Sequence, residues 1–204
     1  MGAASQHART SQGGTVSQEA SADVARLIDR LDDAVRTGDV ATITRRIKQE
    51  LEAASRAPLA LPTRFLVPRK DCYARRLLHR NAELGYTVVV MTWGPDQRTP
   101  LHDHAGMWCV ECVVQGELDV SQYDLVRAEG GRFYFTEQTR VHAGVGDAGC
   151  LIPPFEYHVL GNAAKDGVTV TMHVYGGEMD HCHMYTPQQD GWARERRNLE
   201  YYPQ

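Results

Sequence analysis

His102 and His104, in the run Thr99-Pro100-Leu101-His102-Asp103-His104, are the side chains of this sequence best spaced for chemistry. On an extended strand, side chains two apart share one side, so both imidazoles face the same point and are able to share a metal ion. With nine histidines in 204 residues, a His-x-His pair alone carries little weight, and a third ligand has to be found. Downstream, His142, His158, His173, His181 and His183 are the candidates. His158 stands out because Pro153-Pro154-Phe155-Glu156-Tyr157 leads into it, a rigid entry that holds a ligand in place. Three imidazoles without a carboxylate suit Fe(II), Zn(II), Ni(II) or Cu(II), so the ligand type leaves the metal open. Such a set keeps the full divalent charge at the site, which attracts anionic chelators and thiolates.

The cysteines offer less. Cys109-Val110-Glu111-Cys112 is a C-x-x-C, but the surrounding Met107 to Val114 reads as a strand, where positions 109 and 112 face opposite sides. Cys72, Cys150 and Cys182 bring the total to an odd five with no regular spacing, which argues against a disulfide framework. We take Cys72, Cys112, Cys150 and Cys182 as structural. A net charge of −4 without a basic cluster argues against nucleic acid as a partner. No apolar run approaches the roughly 20 residues of a membrane span, and Gly2 to Gln18 has no apolar signal core. The expectation is a cytoplasmic protein, a monomer or small homo-oligomer, with a single domain over 20–204.

The elements that position these residues follow from periodicity. Residues 1–19 are small and polar and are expected to form a disordered tail. From Ser21, Val24, Leu27, Ile28, Leu31 and Val35 recur at helical spacing. Gly38 stops that helix and Asp39 caps a second one carrying Val40, Ile43, Ile47 and Leu51, so the helical segment runs over 20–57. Pro58 to Lys70, with three prolines, reads as an extended connector. Beyond it come short β-type runs, Tyr86 to Trp93, Met107 to Val114, Glu117 to Leu125, Arg132 to Phe135, Val159-Leu160 and Val168 to Tyr175, separated by glycine-containing turns. Many short strands without helices between them predict a mainly β fold, a barrel or double-sheet sandwich over about 70–190 behind two N-terminal helices.

From Tyr73 to about Tyr185 the sequence resembles the thiol dioxygenases of the cupin superfamily, cysteine dioxygenase in particular. The motifs that carry the resemblance are Tyr73-Ala74-Arg75 with Leu77-Leu78, Trp93-Gly94, His102-Asp103-His104 with Cys109 five residues on, and Gln115-Gly116-Glu117-Leu118. His158-Val159, Thr171-Met172-His173-Val174-Tyr175 and Cys182-His183 continue it. The resemblance implies a cupin-type antiparallel β-barrel, or jelly roll, with Fe(II) held by His102, His104 and His158. It implies that a small thiol and O2 react there, both oxygen atoms being added to sulfur to give a sulfinic acid, with cysteine as the first expectation. The alternatives are 3-mercaptopropionate or another mercapto acid as the substrate, or a non-catalytic cupin that binds a small ligand.

The same resemblance implies roles residue by residue. Arg75 matches the arginine that pairs with the substrate carboxylate, with Tyr73 beside it. Because the stretch between Tyr73 and Trp93 is one residue longer than in the animal enzyme, Arg76 is the alternative. Thr171, His173 and Tyr175 match a relay whose tyrosine hydroxyl lies over the iron. Cys109 matches a cysteine that forms a thioether with that tyrosine. Gly176-Gly177 stands where the animal enzyme has Ser-Pro-Pro, as in bacterial mercaptopropionate dioxygenases, and is expected to fall beside the substrate. His142, His181 and His183 are expected at the surface or behind the site, with His183 nearest to it.

Overall fold

Two helices lead the chain because their apolar stripes have a sheet to cover. The structure, a computed structural model, describes residues 13–203, with side chains from Ala22. Helix α1 (Gly13–Val35) and helix α2 (Val40–Ala54) form a hairpin around Gly38, whose φ of 129° suits a residue without Cβ. Asp39 caps α2 by accepting the Thr42 N–H at 2.9 Å. The first helix begins earlier than the stripe from Ser21, so residues 13–19, expected in the tail, are helical. Once Leu27 and Leu31 are anchored in the core, extending a helix costs little per residue. Residues 1–12 of that tail lie outside the described residues. Among the described residues, no helix is long and apolar enough to cross a membrane.

Eleven strands follow, in two antiparallel sheets. The first sheet has the order β1 (Ala74–Asn81), β2 (Tyr86–Trp93), β9 (Thr169–Tyr175), β4 (Cys109–Gln115) and β7 (Ala148–Leu151). The second closes on itself through β10 (His181–Pro187), β11 (Trp192–Asn198), β6 (Arg132–Ala143), β5 (Leu118–Glu129), β8 (Tyr157–Asn162) and β3 (Leu101–His102). Two helices ahead of this double-sheet antiparallel β structure make the cupin-type fold that the resemblance implies.

The first sheet is covered on both faces, which is why β2 and β9 are buried at every residue and read as unbroken apolar runs. Val88, Val90, Val110, Cys112, Val170, Met172 and Val174 pack with Leu27, Leu31, Ile47 and Leu51 of the helices. The alternate residues of the same strands, among them Val89, Met91, Trp93, Cys109, Val113 and Tyr175, turn to the barrel interior. Period two thus sends the apolar half of each strand to the helices and its chemistry-bearing half inward.

Strand ends depart from expectation where the sequence is polar. Strand β6 runs on through Thr136 to Ala143, mostly exposed, because it pairs with β5 along a long hairpin that leaves one side to water. Strands β1, β10 and β11 carry too many charged or mixed residues to read as strands, and the ladder with their neighbours makes them so. Strand β1 carries one residue more than β2 across a register shift between Leu77 and His79.

Candidate metal centre

Register brings the histidines together. His102, on the two-residue strand β3, lies directly opposite His158 of β8 and opposite Met184 of β10. His104 follows in a turn where Ala105 takes a φ of 54°, an uncommon left-handed conformation for a residue with Cβ. Asp103 holds that turn. Its Oδ1 accepts the N–H of Ala105 at 3.1 Å and of His183 at 2.8 Å, and its Oδ2 accepts the Tyr185 hydroxyl at 3.1 Å and lies 2.9 Å from His183 Nδ1. Tyr185 is itself packed edge-on against Phe133, Phe135 and Tyr157, so an aromatic cluster of the second sheet fixes the carboxylate between the two histidines.

One ligand atom from each of His102, His104 and His158 falls within 4.8 Å of the others. His102 Nδ1 lies 3.1 Å from the Pro100 carbonyl, which only accepts, so Nδ1 carries the proton and Nε2 presents a lone pair. That Nε2 is 3.2 Å from His158 Nε2. Imidazoles binding one ion at about 2.0–2.1 Å bring their nitrogens roughly this close. His104 is buried, and neither of its ring nitrogens has a hydrogen-bond partner, a costly state that a bound cation relieves. Its backbone N–H is fixed at 2.9 Å by Glu156 Oε2. Burial, reinforced by the neighbouring His158, lowers the His102 pKa to about 3, and burial likewise takes His104 well below the usual histidine range. Neutral imidazoles with free Nε2 atoms are what a metal needs, so the residues fit the ion the fold implies.

His102 and His158 of the triad face a small cavity of about 20 Å³ whose lining includes Tyr73, Arg75, His173, Tyr175, Met179 and Leu199. Arg75 is buried and held by the carbonyls of Met179 at 3.0 Å and Glu200 at 3.4 Å, with its guanidinium 5.4 Å from the Tyr201 ring centre. Among the described residues no Asp or Glu forms an ion pair with it. Tyr73 stacks near Trp93, ring centres 4.6 Å apart, and burial pushes its phenol up to about 12. Arg76, one residue on, points to the other face of β1: it donates to Thr92 Oγ1 and to the Val67 carbonyl and does not line the cavity. The alternation of a strand removes it from the substrate side.

Trp93 donates its indole N–H to Thr171 Oγ1 at 2.9 Å, and Thr171 Oγ1 lies 2.7 Å from His173 Nε2. Tyr175 joins this row by stacking, its ring 6.0 Å from that of His173 with 11° between the planes. Burial lowers His173 to about 4, although Glu111 acts against the shift, and burial raises the Tyr175 phenol well above its usual range. Cys109 faces Tyr175 directly across the β4–β9 ladder, and burial likewise raises its thiol.

Among known families, the profile of cysteine dioxygenase type I matches residues 14–188. The chain belongs to that family. Solved structures with similar folds include a double-stranded β-helix domain protein from Klebsiella pneumoniae, 18% identical over 55% of this chain and 79% of that one, with a TM-score of 0.43. The Cnp3 cupin domain from Schizosaccharomyces pombe is 11% identical over 58% of this chain and 68% of its own, TM-score 0.43. Thermus thermophilus TT1209 is 15% identical over 55% and 90%, TM-score 0.43.

Within this cysteine dioxygenase family member, Gly176-Gly177 lies between Tyr175 and Met179, two residues that line the cavity. Neither glycine lines the cavity. A Cβ on Gly176 would lie 2.2 Å from Trp108 Nε1, and one on Gly177 2.7 Å from Met107 Sδ. The pair is therefore required by the packing of Met107 and Trp108. His142 and His181 are at the surface end, paired with Asp119 and Asp180, while His183 sits behind His102 through Asp103. Sequence reasoning missed Asp103, Glu156, Trp93 and Glu111. For Glu111 a signal existed: it is the one charged residue in the apolar run Cys109 to Val114.

Proposed function

We propose that this chain is an iron-dependent thiol dioxygenase acting on a small carboxylated thiol, cysteine or 3-mercaptopropionate. One observation carries the reading. Three clustered imidazoles, of which His102 and His158 line the cavity, stand beside a buried arginine that has no carboxylate partner among the described residues, so the site lacks an anion that a substrate carboxylate supplies. His102, His104 and His158 would hold the ion. When bound, Fe(II) supplies the redox chemistry with dioxygen and, as a Lewis acid, favours the thiolate.

The reaction balances without a reductant: R–S⁻ and O2 give R–SO2⁻, the O–O bond breaking as two S–O bonds form and sulfur giving up four electrons. The protein's own part is orientation and exclusion of water. Arg75 offers a planar fork to the carboxylate. Tyr175, kept protonated by burial, offers a hydroxyl donor in the same cavity, and His173 fixes its ring by stacking. Among the described residues no acidic side chain lines the cavity, so Arg75 is the charged group there that a substrate meets. A cavity of about 20 Å³ is close to water-sized. Substrate therefore enters by displacing flexible lining side chains such as Met179 and Met184.

The test is anaerobic loading with Fe(II) followed by oxygen uptake with cysteine, 3-mercaptopropionate, mercaptosuccinate and cysteamine, the product being identified by mass. One O2 consumed per sulfinate is expected with the carboxylated thiols. Bound iron with no thiol-dependent oxygen uptake would leave a cupin that only binds its ligand.

A further inference from the structure

Glu111 lies on the interior face of β4, two residues beyond Cys109, and is buried. A buried carboxylate needs compensation, and among the described residues no Lys or Arg provides it. What faces it are two imidazoles: Oε1 is 3.6 Å from His158 Nδ1 and Oε2 is 3.5 Å from His173 Nδ1. Both nitrogens and Glu111 Oε2 are buried, and at these distances none of the three makes a hydrogen bond, so the carboxylate is the polar group that faces each ring.

The proton positions follow from one fixed donor. An indole N–H only donates, so Thr171 Oγ1 accepts from Trp93; the hydroxyl is buried, and among the described residues His173 Nε2 is the acceptor its own proton reaches. His173 Nε2 is then the acceptor of its neutral ring, and the ring proton sits on Nδ1, facing Glu111. The same carboxylate faces His158 Nδ1, and a proton there leaves His158 Nε2 as a lone pair beside the lone pair of His102 Nε2, 3.2 Å away. Two lone pairs at that distance repel unless a cation lies between them. Without the carboxylate, His158 gains by the other tautomer, donating from Nε2 to His102 Nε2 and closing the metal face.

We propose that Glu111 is a positioning residue of the metal centre: its carboxylate, facing the Nδ1 edges of both His158 and His173, favours the Nδ1–H tautomer of each, which sets His158 as a ligand and couples it to the Trp93–Thr171–His173 row. The inference rests on the reading of the triad as a metal centre. Glu111 is not itself a ligand, because it faces the Nδ1 edge of His158, whereas His158 approaches His102 through Nε2. A second cavity of about 280 Å³, lined by Glu111, Thr171, Val113 and Leu118, lies beside the carboxylate, so other side chains have room at this position.

The test uses the full chain labelled with ¹⁵N-histidine, as wild type, Glu111→Gln and Glu111→Leu. Imidazole ¹H–¹⁵N correlation on the metal-free protein reads the tautomers, and titration with Zn(II) as a diamagnetic probe reads affinity. Wild type should show Nδ1–H at His158 and His173. Glu111→Leu should move His158 to the Nε2–H tautomer and weaken Zn(II) about 10- to 100-fold. Glu111→Gln, with a single acceptor oxygen, should retain Nδ1–H at only one of the two histidines and is the variant to rely on if the leucine protein does not fold. Unchanged tautomers and unchanged Zn(II) affinity in a folded variant overturn the role of Glu111 alone. A wild-type chain that binds no Zn(II) overturns the metal-centre reading and this inference with it.

Discussion

At the scale of residues, the site separates ligand, anchor and donor into side chains that can be removed one at a time. His158→Ala should abolish iron retention and turnover together, since the lost imidazole is one of three ligands. Arg75→Ala should raise KM for cysteine and 3-mercaptopropionate on the order of 10- to 100-fold, the loss of a charge-assisted hydrogen-bond pair. Cysteamine, which has no carboxylate, should be unaffected. Identical kinetics for the carboxylated thiols would show that the substrate carboxylate binds elsewhere. Tyr175→Phe should lower the rate or uncouple oxygen use while iron stays bound, and full coupled activity would end the donor role assigned to its hydroxyl. Cys109 and Tyr175 are cross-strand partners, which brings them close enough for a thioether. Such a bond, its two electrons and two protons passing to dioxygen, the oxidant of the proposed reaction, makes the intact protein lighter by two hydrogens, and peptide mapping should find that loss on these two residues and not in Cys109→Ala.

At the scale of elements, the residues leading into β4 and the end of β9 are locked by shape. Gly176 accommodates the Trp108 indole and donates its N–H to the Trp108 carbonyl at 3.0 Å. Gly176→Ala should therefore destabilise the fold by about 1–3 kcal/mol, the usual cost of overpacking, read as a lower urea midpoint at unchanged slope. Trp108→Ala in the same chain should recover part of that loss; strict additivity of the two would mean that the clash is not with the indole. The glycine pair that the resemblance implies beside the substrate thus also serves the packing of Met107 and Trp108.

At the scale of the whole molecule, the barrel interior keeps neutral histidines that would be charged in the unfolded chain. His173 and His102 have folded pKa values of about 4 and about 3 against an ordinary 6.5. Below pH 6.5 the unfolded chain binds protons that the folded one refuses, so the stability they support is complete above pH 6.5 and is lost as pH falls through about 4 and then about 3. The metal-free protein should show a falling Tm over that window. His173→Gln should reduce the slope of unfolding free energy against pH by about one proton between pH 6.5 and 4, and an unaltered slope would mean that His173 is not held neutral. Residues 199–202 run along the edge of that interior. Tyr202 donates its N–H to the Arg75 carbonyl, Tyr201 covers the guanidinium and Leu199 reaches the cavity wall, so the chain end closes over the anchor that the first strand supplies.

Local pattern alone determined the helix hairpin, the run Tyr86 to Trp93 and the placement of Cys109 and Cys112 on opposite faces, because these depend on periods of 3.6 and 2 that neighbours in sequence already express. It also marked the histidines, though not by itself which third one closes the set; that choice came from resemblance to a family. Only tertiary structure decided the rest. His102 and His158 are 56 residues apart, and it is the β3–β8 register that puts their nitrogens 3.2 Å from each other. Arg75 and Arg76 are equivalent in sequence, and the facing of β1 separates them. Polar strands such as β1 and β11 exist because partners complete their ladders, an interaction between segments distant in the chain that no local propensity encodes. Glu111 reads as an oddity in an apolar run until two imidazoles from β8 and β9 are seen to face its carboxylate.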